Sequence, residues 1–224
     1  MTISVSDLAT VVIRSAGERT ADMCEALVAD QISSDTIHVI RETPFEEAIR
    51  VCFEIARQED KKYLITFDGD VLPLNDAVQN LIAFAEKRGD RHLASTALVG
   101  DKFLGYIKKA GNHIYSTQYM PTLLASIPEP GTAYHPESQT IERAAHKTKM
   151  KKTKADFVVG LHDYEQYYKD IYRTFYFHAH KRPEEIIKRV AQWKTERQTG
   201  NDYRMATKAV LDGLVSEEVA VADT

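Results

Sequence analysis

An α/β fold built on a parallel sheet is what this sequence predicts, and three observations carry it. Short β-branched apolar runs alternate with amphipathic helical stretches three times within the first ninety residues. The third of these runs ends in the acidic triplet Asp68-Gly69-Asp70. The composition is that of an ordinary globular chain. Of 224 residues, 43% are hydrophobic and 28% charged, with only 10 glycines and 7 prolines, which excludes disorder, collagen-like repeats and a coiled coil.

The first strand is Ala9-Thr10-Val11-Val12-Ile13, a run suited to burial on both faces. After a polar stretch from Arg14 to Arg19, apolar residues at 23, 24, 27 and 28 give a helix over 20–31. The second strand is Ile37-His38-Val39-Ile40. Next comes a helix whose start reads as a capping box, with Thr43 as N-cap, Pro44 at N1 and Glu46 at N3. Its inner face carries Ala48, Ile49, Cys52, Phe53, Ile55 and Ala56. The third strand, Tyr63 to Phe67, is followed by a helix over 75–87 that stops near Gly89. Three such alternations argue for right-handed parallel βαβ units.

Residues 92–119 read as strands broken at Gly100, Gly105 and Gly111-Asn112, the last taken as a hairpin turn. A loop spans 128–136, where three prolines and a glycine gather, and a helix covers 138–149. The last strand is Phe157 to Gly160, leading into Leu161-His162-Asp163. Helices over 164–178, 183–198 and 203–214 complete the chain, and the acidic tail 216–224 is expected to fray.

Charge and cysteine content narrow the function classes. The net charge of −4 argues against nucleic-acid binding. Cys24 and Cys52 sit in apolar helical patterns and read as buried thiols of a reducing, cytoplasmic compartment. Met1 to Thr10 has neither a basic stretch nor an apolar core, so no signal peptide is expected. No run of ~18 apolar residues suggests a membrane span.

Asp68 and Asp70 carry the sharpest chemical signal. Two residues apart at the end of a strand, they project the same way, roughly 7 Å from one another along the chain. The carboxyl ends of strands in an open parallel sheet are where ligands bind. Gly69 lets another group approach the backbone. Two hard oxygen donors there suit Mg2+ or Mn2+ shared with phosphate oxygens, although Asp and Gly are also ordinary turn residues.

In these features the sequence resembles the GT-A-fold, DxD-containing glycosyltransferases that use nucleotide sugars. The resembling pieces are ATVVIRSAGERT, IHVIRE, YLITFDGDVLP and GLHDYEQYYKDIYR, which together cover most of residues 9–181. The resemblance implies a Rossmann-like, mostly parallel nucleotide-binding sheet flanked by helices, with a helical C-terminal region. It implies one domain over 1–224: a nucleotide-sugar-binding half (1–91), an acceptor and metal half (92–181) and C-terminal helices (182–224). Asp68, Asp70 and His162 would then hold the metal, and the imidazole leans towards manganese. Arg14, Ser15 and Arg19 would meet the donor's nucleoside and phosphates. Arg41, Glu42, Phe67, Asp68, Gly69 and Lys181 complete the donor set. The donor would be a UDP- or GDP-sugar and the acceptor a glycan or other hydroxyl. An inverting enzyme also needs a carboxylate base; Glu137 and Glu142 are the candidates, with Asp156 and Asp163 as rivals.

Two further clusters have structural as well as functional readings. Lys147, Lys149, Lys151, Lys152 and Lys154 form either a solvated surface or a peripheral contact with anionic lipid or diphosphate. The aromatics from Tyr164 to Phe177 are read as core, and His178 and His180 lack a third metal ligand. A sugar-nucleotide nucleotidyltransferase would share the sheet and metal, but Ser15-Ala16-Gly17 is poor in glycine for a triphosphate cradle. An inactive binding module on the same fold is the third reading.

Overall fold

Ala9–Arg14 (β1), Ile37–Ile40 (β2) and Tyr63–Asp68 (β3) form the three parallel strands expected, with β1 between the other two. They belong to a computed structural model whose described residues are 4–105 and 107–216; most of the tail expected to fray lies outside these. The chain divides into two compact units, 4–164 and 165–216 among the described residues.

The first unit continues with Val71–Pro73 (β4), Ala94–Asp101 (β5), Ile107–Lys109 (β6), Asn112–Ser116 (β7) and Thr153–His162 (β8). Its strands form one mixed sheet in the order β2-β1-β3-β7-β5-β8-β4, with β6 paired to β5. β7 runs antiparallel to both β3 and β5, whereas β5 and β8 are parallel. The carboxyl ends of β1, β3, β5 and β8 therefore reach the same edge of the sheet.

Helices cover both faces, as strand alternation requires. Val11 and Ile13 of β1, with Ile65 and Phe67 of β3, pack towards Ala21–Ala29 (α2) and Ala77–Glu86 (α4), where Cys24, Val28, Val78 and Leu81 are buried. Val12 and Leu64 point the other way. They meet Phe45–Glu59 (α3), Met120–Leu124 (α5) and Pro136–Thr148 (α6) through Ile49, Phe53, Leu123 and Ile141. The single turn Val5–Leu8, capped by Ser4, precedes β1. Both cysteines are buried and free.

Two local expectations are corrected. No capping box starts the helix after β2: its N-cap is Pro44, and Glu46 instead accepts the Gly131 N–H at 3.1 Å. Gly111-Asn112 is not a hairpin turn, because β6 and β7 both pair with β5 as an interrupted strand. Leu98 faces Lys109, but Ser95 faces Ile114, so two extra residues bulge between the ladders. Gly111 takes φ +62° there, and Asn112 fills the broken ladder by bonding Ala97 N at 2.9 Å and Ala110 O at 2.7 Å.

The second unit packs Tyr168–Lys181 (α7), Pro183–Thr195 (α8) and Asn201–Val215 (α9). α9 approaches α7 closely at Gly213, where a Cβ would lie 2.8 Å from Tyr176 O. Phe175 and Trp193 meet edge to face at 5.3 Å and are buried. The aromatic core expected here is thus partial, since Tyr164, Tyr167 and Tyr168 are exposed. Among the described residues, no helix is long and apolar enough to cross a membrane.

Candidate active site

Alternation along β1, β3 and β7 places Arg14, Asp68, His113 and Tyr115 on the face covered by α3 and α6. Arg14 and Asp68 are direct partners across the β1–β3 ladder. The buried guanidinium donates Nε–H to Asp68 Oδ1 at 2.9 Å. Its other end makes a two-point contact with Glu137 of α6, at 2.7 and 3.2 Å. Phe45 lies beneath, its ring centre 4.9 Å from the guanidinium carbon. Tyr115 donates its hydroxyl to Glu137 Oε1 at 2.5 Å, and His113 Nδ1 comes within 3.2 Å of Oε2.

This network fixes the charge states. Burial alone would raise the Glu137 carboxyl, but Arg14 and His113 hold it well below the usual carboxylate range. Burial works against the Arg14 charge, and Asp68 and Glu137 overcome it and hold the group protonated. Burial and the charge of Glu137 push the Tyr115 phenol well up, so it remains a donor. Glu137, expected as a candidate base, is therefore a fully engaged counter-ion with little proton affinity. Glu142 lies exposed one turn and a half further along α6.

The second cluster gathers on the opposite face of the same edge. His162 ends β8 and pairs across the ladder with Asp101, the last residue of β5. Its Nδ1 lies 3.1 Å from Asp101 Oδ2 and 2.9 Å from Asp163 Oδ2, and its Nε2 lies 3.4 Å from Asp70 Oδ2. Lys108 and the Leu104 N–H hold Asp101, at 2.6 and 2.7 Å. Burial pushes the Asp70 carboxyl up, Asp163 and Asp68 add to it, and His162 opposes. Burial would lower His162, but the charge of Asp70 and the bonds to Asp101 and Asp163 raise it.

Asp70, His162 and Asp163 each offer a ligand atom, all within 4.8 Å of one another. Asp70 Oδ1 is buried with no hydrogen-bond partner. Two carboxylates, one imidazole and an orphaned carboxylate oxygen fit a divalent ion with mixed oxygen and nitrogen preference. The ligand trio expected from the sequence was Asp68, Asp70 and His162. Asp68 Oδ1 is held by Arg14, while Asp68 Oδ2 and His162 Cδ2 would each lie 3.5 Å from a Cβ built on Gly111. Asp163 was legible only as a rival base. Its φ of +58° turns the chain so that its carboxylate returns to the histidine beside it.

The loop after β1 folds onto the triplet as well. Thr20 donates to Gly69 O at 2.8 Å, and Gly69 N–H donates to Arg14 O at 2.8 Å. A side chain at Gly69 would have to displace the Glu18 carboxylate, because its Cβ would lie 2.7 Å from Glu18 Oε2. That same oxygen accepts from Ser15 Oγ and from the Ala16 N–H, both at 2.8 Å. An internal carboxylate thus engages the hydroxyl and one backbone N–H of this loop.

The other expected donor contacts scatter. Arg19, Arg41 and Glu42 are exposed in the loops after β1 and β2. Phe67 is wholly buried in the core, so its ring cannot touch a donor. Lys181 belongs to the second unit, at the end of α7. The lysine run is not one patch: Lys147 is bound to Ala125 O and Ser126 Oγ, at 2.9 and 3.1 Å.

Fold and site together define an α/β protein with an acidic, histidine-bearing cluster at the carboxyl edge of its sheet. No protein-family model matches the chain, and no curated protein matches it. Among solved structures it is similar to A197 from STIV, with a TM-score of 0.51 and 14% identity over 70% of this chain and 86% of that one. A glycosyltransferase involved in the glycosylation of the major capsid of PBCV-1 aligns with a TM-score of 0.49 and 12% identity, over 71% and 94% of the two chains. A cytidylyltransferase from Leptospira borgpetersenii aligns with a TM-score of 0.49 and 10% identity, over 85% and 95%. At such identities the likeness concerns the fold.

Proposed function

We propose that this chain is a metal-dependent glycosyltransferase that moves a sugar from a nucleoside-diphosphate sugar to a hydroxyl acceptor. The observation that carries the reading is the acidic edge itself: Asp68 ends β3 and Asp70 follows it in the turn to β4, where His162 and Asp163 arrive at the end of β8. Asp70, His162 and Asp163 would hold Mn2+ or Mg2+ there. Such an ion neutralises charge on a leaving diphosphate when bound. Arg14 anchors Asp68, so that one carboxylate of the triplet stays fixed whatever the other binds. The exposed Arg19, Arg41 and Glu42 border the edge from the loops after β1 and β2, where a uridine or guanosine would lie. Glu142 remains the candidate base on α6, while Glu137 acts as a positioning group. The buried thiols of Cys24 and Cys52 support a reducing compartment such as the cytoplasm.

Glu18 argues against the nucleotidyltransferase alternative. Its carboxylate fills the loop that would have to cradle a triphosphate. The test is a panel of UDP- and GDP-sugars with and without Mn2+, read by thermal shift and by release of nucleoside diphosphate. A donor at ~100 times its dissociation constant should add about 2.7 kcal/mol, and slow Mn2+-dependent diphosphate release should accompany it. Pyrophosphate release from nucleoside triphosphate and a sugar phosphate would overturn the reading in favour of nucleotidyl transfer. Absence of both activities would leave a binding module.

A further inference from the structure

The sheet face bearing Arg14 and Asp68 continues past α6 onto β5, β6 and β8. There the register lines up Thr96 with Lys154, Leu98 with Lys109 and Val158, and Gly100 with Ile107 and Leu161. Residues paired across a ladder point to the same side. A basic end and an apolar end therefore share one open face. Ile107 is 55% exposed and Leu161 42%, and Gly100 between them leaves a shallow floor. Lys152 joins the basic end from the segment before β8. It is half-buried, and among the described residues its side chain makes one hydrogen bond, a long one of 3.4 Å, to Ser138 Oγ in the first turn of α6.

Among the described residues, none of Lys109, Lys152 and Lys154 has a carboxylate within 4.0 Å. By contrast, the neighbouring Lys108 is paired with Asp101 at 2.6 Å. Desolvation, and then the charges of Lys154 and Lys152, lower the Lys109 ammonium from its ordinary value. Burial and Lys154 do the same to Lys152, against the pull of Glu137 and Glu142. Three cations from two segments repel one another here and would be relieved by one anion. Phosphate answers that arrangement, and the exposed leucine and isoleucine beside it answer an apolar chain.

We infer that this face binds an apolar chain ending in phosphate, with the phosphate on Lys109, Lys152 and Lys154 and the chain along Leu98, Ile107 and Leu161. This binding site stands or falls separately from the transferase reading. The test is titration calorimetry without metal or nucleotide, using farnesyl phosphate, farnesol and inorganic phosphate as probes. Farnesyl phosphate should bind at least tenfold more tightly than either of the others. The triple variant K109Q/K152Q/K154Q should lose at least tenfold in affinity for it. Ile107→Asn with Leu161→Asn should weaken farnesyl phosphate and leave inorganic phosphate unchanged. Equal binding by wild type and the triple variant, with both folded by circular dichroism, would overturn the site. Inorganic phosphate binding as tightly as farnesyl phosphate would overturn the apolar-chain assignment. If these probes bind as expected but no sugar nucleotide releases diphosphate, the binding site survives and the transferase reading fails.

Discussion

Glu137→Gln separates a catalytic base from a buried counter-ion. In the wild type the Glu137 side chain is 12% exposed and Arg14 5%. The carboxylate accepts two bonds from Arg14 and one from Tyr115, and His113 stands 3.2 Å away. Glutamine keeps one acceptor oxygen and turns an NH2 towards groups that are themselves donors. Arg14 is then left buried with Asp68 alone. Removing one partner of a buried ion pair costs about 3–5 kcal/mol, a large part of the about 5–15 kcal/mol that holds a domain folded. Tyr115→Phe removes a single hydrogen bond to a charged group and should cost about 1.5–3 kcal/mol. Because both act on the same carboxylate, the double variant should lose less than the sum of the two. Urea unfolding followed by far-UV circular dichroism measures all three. A Glu137→Gln variant as stable as wild type, yet devoid of transfer activity, would refute the counter-ion argument and restore Glu137 as the base.

Three further outcomes follow from the same geometry. Asp70→Asn, His162→Ala and Asp163→Asn should each lower Mn2+ affinity by about tenfold or more in calorimetry; unchanged affinity in Asp163→Asn would remove that residue from the ligand set. Gly111→Ala places a Cβ 2.4 Å from Val71 Cγ2 at φ +62°, so it should cost about 1–3 kcal/mol and weaken Mn2+ binding with it. A variant with wild-type melting and metal affinity would show that the bulge tolerates a side chain. His92 is buried beside Ser95 Oγ at 2.9 Å, and burial pushes its pKa down to about 4. An unfolded chain takes up that proton near ~6.5, so the stability held by neutral His92 is complete above that pH. It is lost as pH falls through ~6.5 towards ~4, by up to about 3 kcal/mol. Urea unfolding at pH 7.5 and 4.5 should show wild type losing more than His92→Gln; equal losses would mean that His92 titrates alike in both states.

The sequence made the parallel half of the fold readable because its signal is local. A strand buried on both faces must be a short β-branched run, and a helix on the sheet must repeat its apolar residues every three or four positions. What it concealed was long-range register. Glu137 is 123 residues from Arg14, and nothing in the helix around it marks which buried cation it will meet. Gly111-Asn112 misled for the opposite reason. The dipeptide is a strong turn signal, yet here the glycine bends a continuing strand and the asparagine replaces the missing ladder bonds. The resemblance places Phe67 in the donor set beside Asp68, yet alternation along a strand turns neighbours to opposite faces, and Phe67 is buried in the core.

The two ionic clusters share one construction, and it accounts for which site residues were visible. Arg14 and Asp68 are opposite one another where the β1–β3 ladder ends, and Asp101 and His162 are opposite one another where the β5–β8 ladder ends. Each pair sets a cation or imidazole against a carboxylate across two parallel strands. β7 lies between the two ladders, antiparallel to both β3 and β5, and so brings their carboxyl ends to the same edge. Its bulge at Gly111 has no side chain, and a Cβ there would press on Val71 and touch both Asp68 and His162. Asp68 and Asp70 could be read from sequence because they share a triplet at one strand end. Asp101 could not, since its role depends on which residue of a strand some sixty positions later lies beside it. The acidic edge is thus less a motif than the meeting of two ladders, and substitutions that shift either register should disturb Asp68 and His162 together.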